Sequence, residues 1–258
     1  MKNFIRAIFR ALGYDIHRRR KYVEQGYAGY IGFHEICEFY IRFHHRCKNE
    51  KNLQLVQVGA NDGRMHDPVY KMITRYNLPS LLIEPQPAVF KRLKENYKNA
   101  SYIDFENIAI SPQSGQLNFF SVRDDLYFKQ DDFNFSGLAS FDKNHVVKGI
   151  KRFSKRYGLK DPPESYIKEI KVQSMPLQEL IESKGIEEID ILQIDAEGYD
   201  FEVLKTLDYQ KNAPSIIHFE HSGLDEQTKI DAWKYLSDKR YYCAVEGTDS
   251  VCLHMSSS

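Results

Sequence analysis

Short apolar segments alternate with amphipathic segments from Leu53 onward, and this alternation constrains the fold more than any other feature of the sequence. LQLVQVG, SLLIE, QLNFFSV, IDILQID and PSIIHFE are typical of strands, and PQPAVFKRLKENY, EGYDFEVLKTL and DEQTKIDAWKYLSDKR are typical of helices. Such alternation predicts an α/β fold with a mostly parallel sheet and helices on both faces. The final segments, YYCAVEG and TDSVCLHM, predict a strand pair that adds one antiparallel edge strand.

Two regions depart from this alternation and define the predicted domain organisation. Residues 1–48 predict a helical extension, and residues 49–258 predict a single domain with a charged, aromatic insertion at about 123–170. In the first helix of the extension, Lys2, Arg6 and Arg10 lie between apolar residues at helical spacing. This helix either packs against protein or lies on an anionic membrane surface through residues 1–21.

The composition favours a globular protein and limits the classes of partner. Lys and Arg number 36, as do Asp and Glu, so the formal net charge is zero and no basic field predicts nucleic-acid binding. The four cysteines form no C-x-x-C pair and are expected to be reduced thiols. We therefore predict a cytoplasmic protein, with peripheral contact at the inner face of the membrane as the alternative. The sequence leaves the oligomeric state open.

The segment VQVGANDG ends the first predicted strand of the domain in a tight turn. In a parallel α/β sheet this turn borders the ligand crevice at the carboxyl ends of the strands. Its G-x-x-x-G spacing differs from the G-x-G-x-x-G pattern of dinucleotide sites, and Asp62 would repel a phosphate. The turn therefore favours a cationic or zwitterionic ligand, although an ordinary structural turn is the alternative. Its predicted ligand-binding residues are Gly59, Ala60, Asn61, Asp62 and Gly63.

Glu84 ends the second predicted strand, and an acidic residue at this position can hold both hydroxyls of a ribose. The later segment ENIAIS falls where an adenine would lie. Apolar side chains there can pack on a purine face while a neighbouring polar group reads its edge. The ligand therefore looks like a nucleoside with a positive or neutral tail. Its further predicted contacts are Pro85, Asn107, Ile108 and Ala109.

Acidic and histidine residues follow two later strands. Asp195 and Glu197 follow IDILQI, while Glu220 and His221 end PSIIHFEH. If the two strands are neighbours, these groups converge in one crevice, where clustered carboxylates raise each other's pKa. The structural alternative is that Glu197 caps the following helix and Glu220 is a solvated strand end.

Five segments together resemble the FkbM-type methyltransferases. They are VQVGANDG, IEPQPAVFKRLKEN, ENIAIS, QIDAEGYDFEVL and HFEH, in that order, and they span roughly residues 53–222. The resemblance implies a Rossmann-like class I methyltransferase fold with a seven-stranded sheet and S-adenosyl-L-methionine as cofactor. It also implies O-methylation of a hydroxyl on a sugar, glycan or related small molecule. It assigns cofactor binding to Gly59, Asn61 and Glu84, and places Asp195 at the methionine end or the reacting centre.

A neutral hydroxyl is a poor nucleophile, so a base must take its proton as the methyl group moves. The predicted catalytic residues are Asp195 and His221, with Glu220 orienting His221 or binding a substrate hydroxyl. The same three residues could instead hold Mg²⁺, which would bind substrate oxygens and lower the hydroxyl pKa. Metal-independent chemistry is favoured.

The insertion is expected to contact the acceptor. Its basic residues favour an anionic acceptor or, as the alternative, form a solvated helix face. The predicted substrate contacts are Ser140, Lys143, His145 and Glu197, with His145 a further candidate base. Two other functions stay open: a catalytically inactive binding protein of the same fold, and an NAD-dependent oxidoreductase. The missing dinucleotide glycine pattern counts against the second.

Overall fold

The computed structural model describes residues 32–47, 53–126 and 135–255. The predicted amphipathic helix of the N-terminal extension and its membrane contact lie outside these residues. The helices of the described part are α1 Phe33–Cys47, α2 Tyr70–Tyr76, α3 Pro87–Asn96, α4 Lys143–Tyr157, α5 Leu177–Ser183, α6 Asp200–Lys205 and α7 Glu226–Asp238. None of them is long and apolar enough to cross a bilayer.

In the described residues, ten strands form two sheets. They are β1 Leu55–Val58, β2 Ser80–Ile83, β3 Ile103–Glu106, β4 Ala109–Ile110, β5 Gly115–Val122, β6 Ile167–Met175, β7 Ile191–Ile194, β8 Ile216–Glu220, β9 Tyr241–Glu246 and β10 Asp249–His254. Seven of them form the main sheet in the order β3-β2-β1-β7-β8-β10-β9. In this sheet, the five strands β3, β2, β1, β7 and β8 run parallel to one another. Strand β10 runs antiparallel to both of its neighbours, β8 and β9. The predicted seven-stranded, mostly parallel sheet is confirmed.

The main sheet is covered on both faces, as its nearly continuous apolar strands require. On one face, Val58 and Ile194 pack with Leu180 of α5 and Leu236 of α7. On the other face, apolar residues of the strands pack with α1 and α2. They include Leu55, Leu82, Ile191, Cys37, Ile41 and Met72. The tight cover leaves the carboxyl ends of the parallel strands as the open edge of the sheet.

The three remaining strands form a separate small sheet in the order β4-β6-β5. QLNFFSV, predicted as a strand, lies in β5 and pairs antiparallel with β6, with Val122 opposite Ile167. The chain between these two residues leaves the sheet and returns to the same place. It carries α4 and a short 3₁₀ turn, Phe135–Gly137. This excursion is anchored at both ends, so it can be held firmly against the main sheet.

The end of the chain holds a disulfide that the sequence analysis did not predict. Cys243 of β9 and Cys252 of β10 are directly opposite each other in the antiparallel register and are bonded, with 4.0 Å between their Cα atoms. The expectation of reduced thiols is therefore wrong for this pair. Spacing along the chain could not show it, because the pairing depends on the register of two strands. Cys37 is buried as a free thiol.

Candidate functional site

Two adjoining cavities open at the carboxyl ends of the parallel strands. The first contains about 600 Å³ of empty space and the second about 610 Å³, with the open solvent at their mouths included. Both are lined by Gly59, Asn61, Gly137, Asp195 and Glu197. The shared residues mark the junction of the cavities and come from three parts of the chain: the loop after β1, the 3₁₀ turn and the loop after β7.

The loop after β1 turns sharply because Gly59 has a left-handed φ of +78°. A Cβ atom on Gly59 would lie 1.8 Å from the carbonyl oxygen of Asp195. Gly59 is therefore required by the close approach of two loops as well as by the turn. Gly63 lines neither cavity, and its missing Cβ makes room for Leu93 of α3 and for Tyr97, which follows that helix.

Glu84 lies at the tip of β2, is buried, and lines the first cavity together with Pro85. Its Oε2 accepts a hydrogen bond from the Asn61 amide at 3.0 Å, and its Oε1 accepts one from the Gln86 amide at 2.9 Å. Burial raises the pKa of Glu84 to about 7, and these hydrogen bonds oppose the rise. The carboxylate is thus fixed at the wall of the cavity with lone pairs left to accept further donors.

The walls of the first cavity beyond Glu84 are largely apolar. Ile108 and Ala109 line it, together with the aromatic residues Phe119, Phe141 and Tyr199. Asn107 lies behind this wall and does not line it: its amide donates to the carbonyl oxygens of Glu84 and Pro85 at 2.8 and 3.1 Å. An apolar slot next to a fixed carboxylate suits a planar base joined to a ribose.

Asp62 holds the shape of its own loop. Its Oδ1 accepts hydrogen bonds from the amides of Arg64 and Met65 at 3.0 and 2.9 Å, and its Oδ2 is 3.8 Å from Arg92. The residue is buried and lines neither cavity. A short acidic side chain bonded to the next backbone amides is a common turn-forming arrangement. Ala60, two residues earlier in the same loop, lines the second cavity but not the first.

The insertion closes over the loops after β1 and β2. Ser136 Oγ donates to Asn61 Oδ1 at 2.9 Å, and the side-chain amide of Gln86 donates from Nε2 to the Ser136 carbonyl at 2.8 Å. On the other side, Ser140 Oγ donates to the Glu197 carbonyl at 2.9 Å. The sequence analysis missed Gln86 and Ser136. Gln86 could have been suspected from its position two residues after Glu84, whereas Ser136 lies in a stretch without periodicity.

The structure brings Asp195 and Glu197 together at the junction of the cavities. The side chain of Asp195 is exposed to the crevice, while protein encloses it on its other sides. This enclosure is the main cause that raises the pKa of Asp195 well above its usual value, and the negative charge of Glu197 is the second cause. Glu197 has a left-handed φ of +49°, which is uncommon for a residue other than glycine. Burial also raises the pKa of Glu197, while its hydrogen bond to His145 lowers it.

His145 reaches this junction from the first turn of α4. The helix is capped by Asp142, whose carboxylate accepts the Asn144 amide at 2.8 Å. His145 Nε2 is 3.0 Å from Glu197 Oε2, and this contact raises the pKa of His145. Lys143 points elsewhere, with its ammonium 6.0 Å from the centre of the Phe120 ring, and it lines neither cavity.

Glu220 and His221 lie at the end of β8 but line neither cavity. Glu220 Oε1 accepts the Ser222 hydroxyl at 2.6 Å. His221 is buried, with Nδ1 3.1 Å from Ser250 Oγ and its ring packed edge-on to Trp233. Burial lowers the pKa of His221. Within the described ranges, no three His, Cys, Asp or Glu side chains are placed to hold a metal ion.

A polar row crosses the sheet near the second cavity. Gln57, Gln193 and His218 occupy matching positions on β1, β7 and β8, and all three are buried. Among the described residues, Oε1 of each glutamine and Nδ1 of the histidine have no hydrogen-bond partner. Both glutamines line the second cavity. This cavity therefore has a polar floor, in contrast to the apolar walls of the first.

The sequence profile of the FkbM methyltransferase domain matches residues 57–243. This range contains all of the residues that line the two cavities. No curated protein matches the chain.

Several solved methyltransferase structures are similar to this chain at low sequence identity. Methyltransferase FkbM from Methylobacillus flagellatus KT is 12% identical with a TM-score of 0.49, and the match covers 79% of this chain and 44% of that one. A ribosomal protein L11 methylase from Lactobacillus delbrueckii subsp. bulgaricus is 9% identical, with a TM-score of 0.38 and coverages of 86% and 80%. A precorrin-6y C5,15-methyltransferase from Geobacter metallireducens GS-15 is 10% identical, with a TM-score of 0.36 and coverages of 84% and 86%. The chain thus spans less than half of the FkbM protein that it matches.

Proposed function

Because the chain belongs to the FkbM methyltransferase domain family, we propose that it is an S-adenosyl-L-methionine-dependent O-methyltransferase acting on a hydroxyl of a sugar, glycan or related small molecule. One observation carries the proposal: an apolar cavity with the fixed carboxylate of Glu84 at its wall joins a polar cavity lined by Asp195 and Glu197. The first cavity suits an adenosine, and the second suits the positively charged groups of the cofactor and a hydroxylated acceptor.

The residues present fit this cofactor. Glu84 would accept the two ribose hydroxyls, since both of its oxygens are held by backbone amides and keep lone pairs free. Ile108 and Tyr199 would pack on the adenine. The carboxylates of Asp195 and Glu197 favour a cationic sulfur at the junction. When bound, the cofactor supplies an activated methyl group for in-line displacement by an acceptor oxygen.

The chain itself contributes alignment and exclusion of water. The hydrogen bonds of Ser136 and Ser140 hold the insertion across the junction, which limits the orientations open to a bound acceptor. Alignment of reacting groups supplies much of the rate enhancement in such a displacement. Asn61 completes the junction, because its amide bonds Glu84 and its side chain accepts from Ser136.

The charges of the second cavity favour an acceptor that is uncharged at its reacting end. Asp67, Asp195 and Glu197 line this cavity, and no described lysine or arginine does. A phosphate or carboxylate beside three carboxylates would be repelled. The basic residues of α4 can contact an anionic part of a larger acceptor only outside the two cavities. The predicted anionic acceptor is therefore retained only in this restricted form.

Titration calorimetry with S-adenosyl-L-methionine, its demethylated product and NAD tests the cofactor assignment. We expect the first two to bind and NAD not to bind. Glu84→Ala should weaken binding about 100-fold, since it removes hydrogen bonds to a charged group worth about 1.5–3 kcal/mol each. Glu95→Gln, a change at an exposed glutamate of α3, is the matched control and should bind as the wild type does. Absence of binding by both adenosyl compounds would overturn the proposal.

A transfer assay tests the reaction. Cofactor carrying a tritiated methyl group is incubated with the protein and with glycan and sugar-nucleotide fractions from cells that lack the gene. We expect label in at least one hydroxyl-bearing fraction, stable to conditions that cleave methyl esters. If the cofactor binds but no fraction is labelled, the protein is a binding protein of this fold and the enzymatic proposal is wrong.

A further inference from the structure

We propose that Glu197 takes the proton of the acceptor hydroxyl and that His145, supplied by the insertion, positions the carboxylate for this step. The inference deepens the proposed methyl transfer and rests on it. It differs from the prediction made from the sequence, which named Asp195 and His221 as the candidate bases and His145 as a further one.

Glu197 is the carboxylate that faces both cavities while being held from behind. Its Oε2 is 3.0 Å from His145 Nε2, and its Oε1 lies nearer Gly137, 3.7 Å from the place where a Cβ of that residue would be. Both Glu197 and Gly137 line the junction of the cavities. One carboxylate oxygen is therefore committed to the imidazole, and the other is available at the junction.

The backbone of Glu197 is strained in a way that fixes this orientation. Its left-handed φ of +49° is unfavourable for a residue other than glycine and persists only where the surroundings enforce it. Here Ser140 Oγ donates to the Glu197 carbonyl at 2.9 Å, and Gly198 follows with a φ of +86°. Backbone strain of this kind clusters at active sites.

His145 occupies a slot that only glycines leave open. A Cβ on Gly198 would lie 3.0 Å from His145 Nδ1, and a Cβ on Gly223 would lie 3.3 Å from its Cε1. Gly198 comes from the loop after β7 and Gly223 from the loop after β8, so two parallel-strand tips and α4 enclose the ring. The slot orients Nε2 toward Glu197, which is the requirement for a positioning residue.

The two other candidate bases are less suitable. Asp195 also lines both cavities, but among the described residues no group donates a hydrogen bond to its carboxylate, so nothing holds that carboxylate in one orientation as His145 holds Glu197. His221 lies outside both cavities and is bonded to Ser250.

The proton transfer needs only the acceptor hydroxyl, the cofactor and Glu197. The acceptor oxygen bonds to the methyl carbon as its O–H bond breaks, the electron pair of the old carbon–sulfur bond stays on sulfur, and the proton passes to Glu197 Oε1. The nearby imidazole of His145 stabilises the ionised form of Glu197 before the step. The charges of Asp142 and Glu220 favour the protonated imidazole of His145. The charge of Glu220 also raises the pKa of Glu197.

The test compares Glu197→Gln, His145→Ala and the control Asn144→Ala, an exposed residue beside His145. Each variant is assayed for affinity toward the demethylated cofactor and for methyl transfer to the labelled fraction from the wild-type assay. We expect the control to match the wild type in both affinity and transfer, and we expect the two other variants still to bind the demethylated cofactor, whose sulfur carries no positive charge. Transfer should fall about 100-fold or more in Glu197→Gln, the range of general-base catalysis. In His145→Ala it should fall less, reach half-maximum at a higher pH, and recover when imidazole is added.

Wild-type transfer by Glu197→Gln, or a loss in His145→Ala with an unmoved pH profile and no rescue by imidazole, would overturn the inference while leaving the proposed function intact. Failure of the wild-type protein to transfer methyl to any fraction would remove the proposed function and this inference together. Glu197→Asp shortens the carboxylate without removing it. If Glu197→Gln does not fold, partial activity in Glu197→Asp supports the assignment and full activity opposes it.

Discussion

The backbone amide of Asn61 donates to Oε2 of Glu84 at 3.0 Å and so joins the loop after β1 to the tip of β2. Gly59 and Glu84 consequently line the same cavity. The two sequence motifs that suggested a nucleoside ligand therefore face one site. The contact also fixes a buried carboxylate whose protonation changes near neutral pH.

Binding of the demethylated cofactor should strengthen with pH. With the pKa of Glu84 raised to about 7 by burial, the ionised fraction that can accept ribose hydroxyls increases about tenfold between pH 6 and pH 8. Calorimetry across this range should show a similar gain in affinity, with proton release on binding. Glu84→Gln should bind more weakly at every pH and without this dependence. A flat profile in the wild-type protein would contradict the assignment.

Gly59→Ala should strongly destabilise the protein, because the added Cβ would lie 1.8 Å from the Asp195 carbonyl oxygen. Steric conflict and the left-handed φ together should lower the unfolding free energy by about 3 kcal/mol or more. Gly247→Ala is the matched control, since Gly247 has a φ of +63° and open space around the added atom. It should cost only about 1 kcal/mol. Urea unfolding followed by circular dichroism measures both, and equal losses would refute the close approach.

Reduction of the Cys243–Cys252 disulfide should lower stability by about 2–3 kcal/mol, the loop-entropy value for a bridge of this separation. Denaturant unfolding with and without a phosphine reductant measures the difference. The double variant Cys243→Ser and Cys252→Ser should match the reduced wild-type protein and should not respond to the reductant. A wild-type protein that is equally insensitive would show that the bond is absent in solution.

Asp200→Asn should stabilise the protein at alkaline pH. Asp200 is completely buried at the start of α6, and burial raises its pKa to about 8. The folded state then keeps a proton that the unfolded chain has already lost, so the contribution of this group to stability is present at acidic pH and disappears as pH rises through 8. The variant should exceed the wild type by more than about 1 kcal/mol at pH 9 and by much less at pH 4. Asp238→Asn, at an exposed position, should show no such trend.

The sequence determined the order of strands and helices along the chain and several of the residues that line the crevice. Strand ends are readable because an apolar run stops at a polar or glycine residue, and in a parallel sheet those ends meet at one edge. Glu84, Ile108 and Asp195 could be placed at the crevice for this reason. The roles of individual residues within a motif were harder to predict. Asp62 and Asn107 lie in the predicted motifs, but their side chains hydrogen-bond to the backbone and do not line the crevice.

Only the tertiary structure decided which side chains complete the crevice. Ser136 lies in an irregular stretch of the insertion and His145 lies on its helix α4. They meet Asn61 and Glu197 through contacts between residues 75 and 52 positions apart. The bonding of Cys243 to Cys252 likewise depends on strand register. Local sequence patterns report the backbone's repeating geometry and which face is apolar. The packing of an irregular segment depends on the shape of the surface that receives it, which no short stretch of sequence contains.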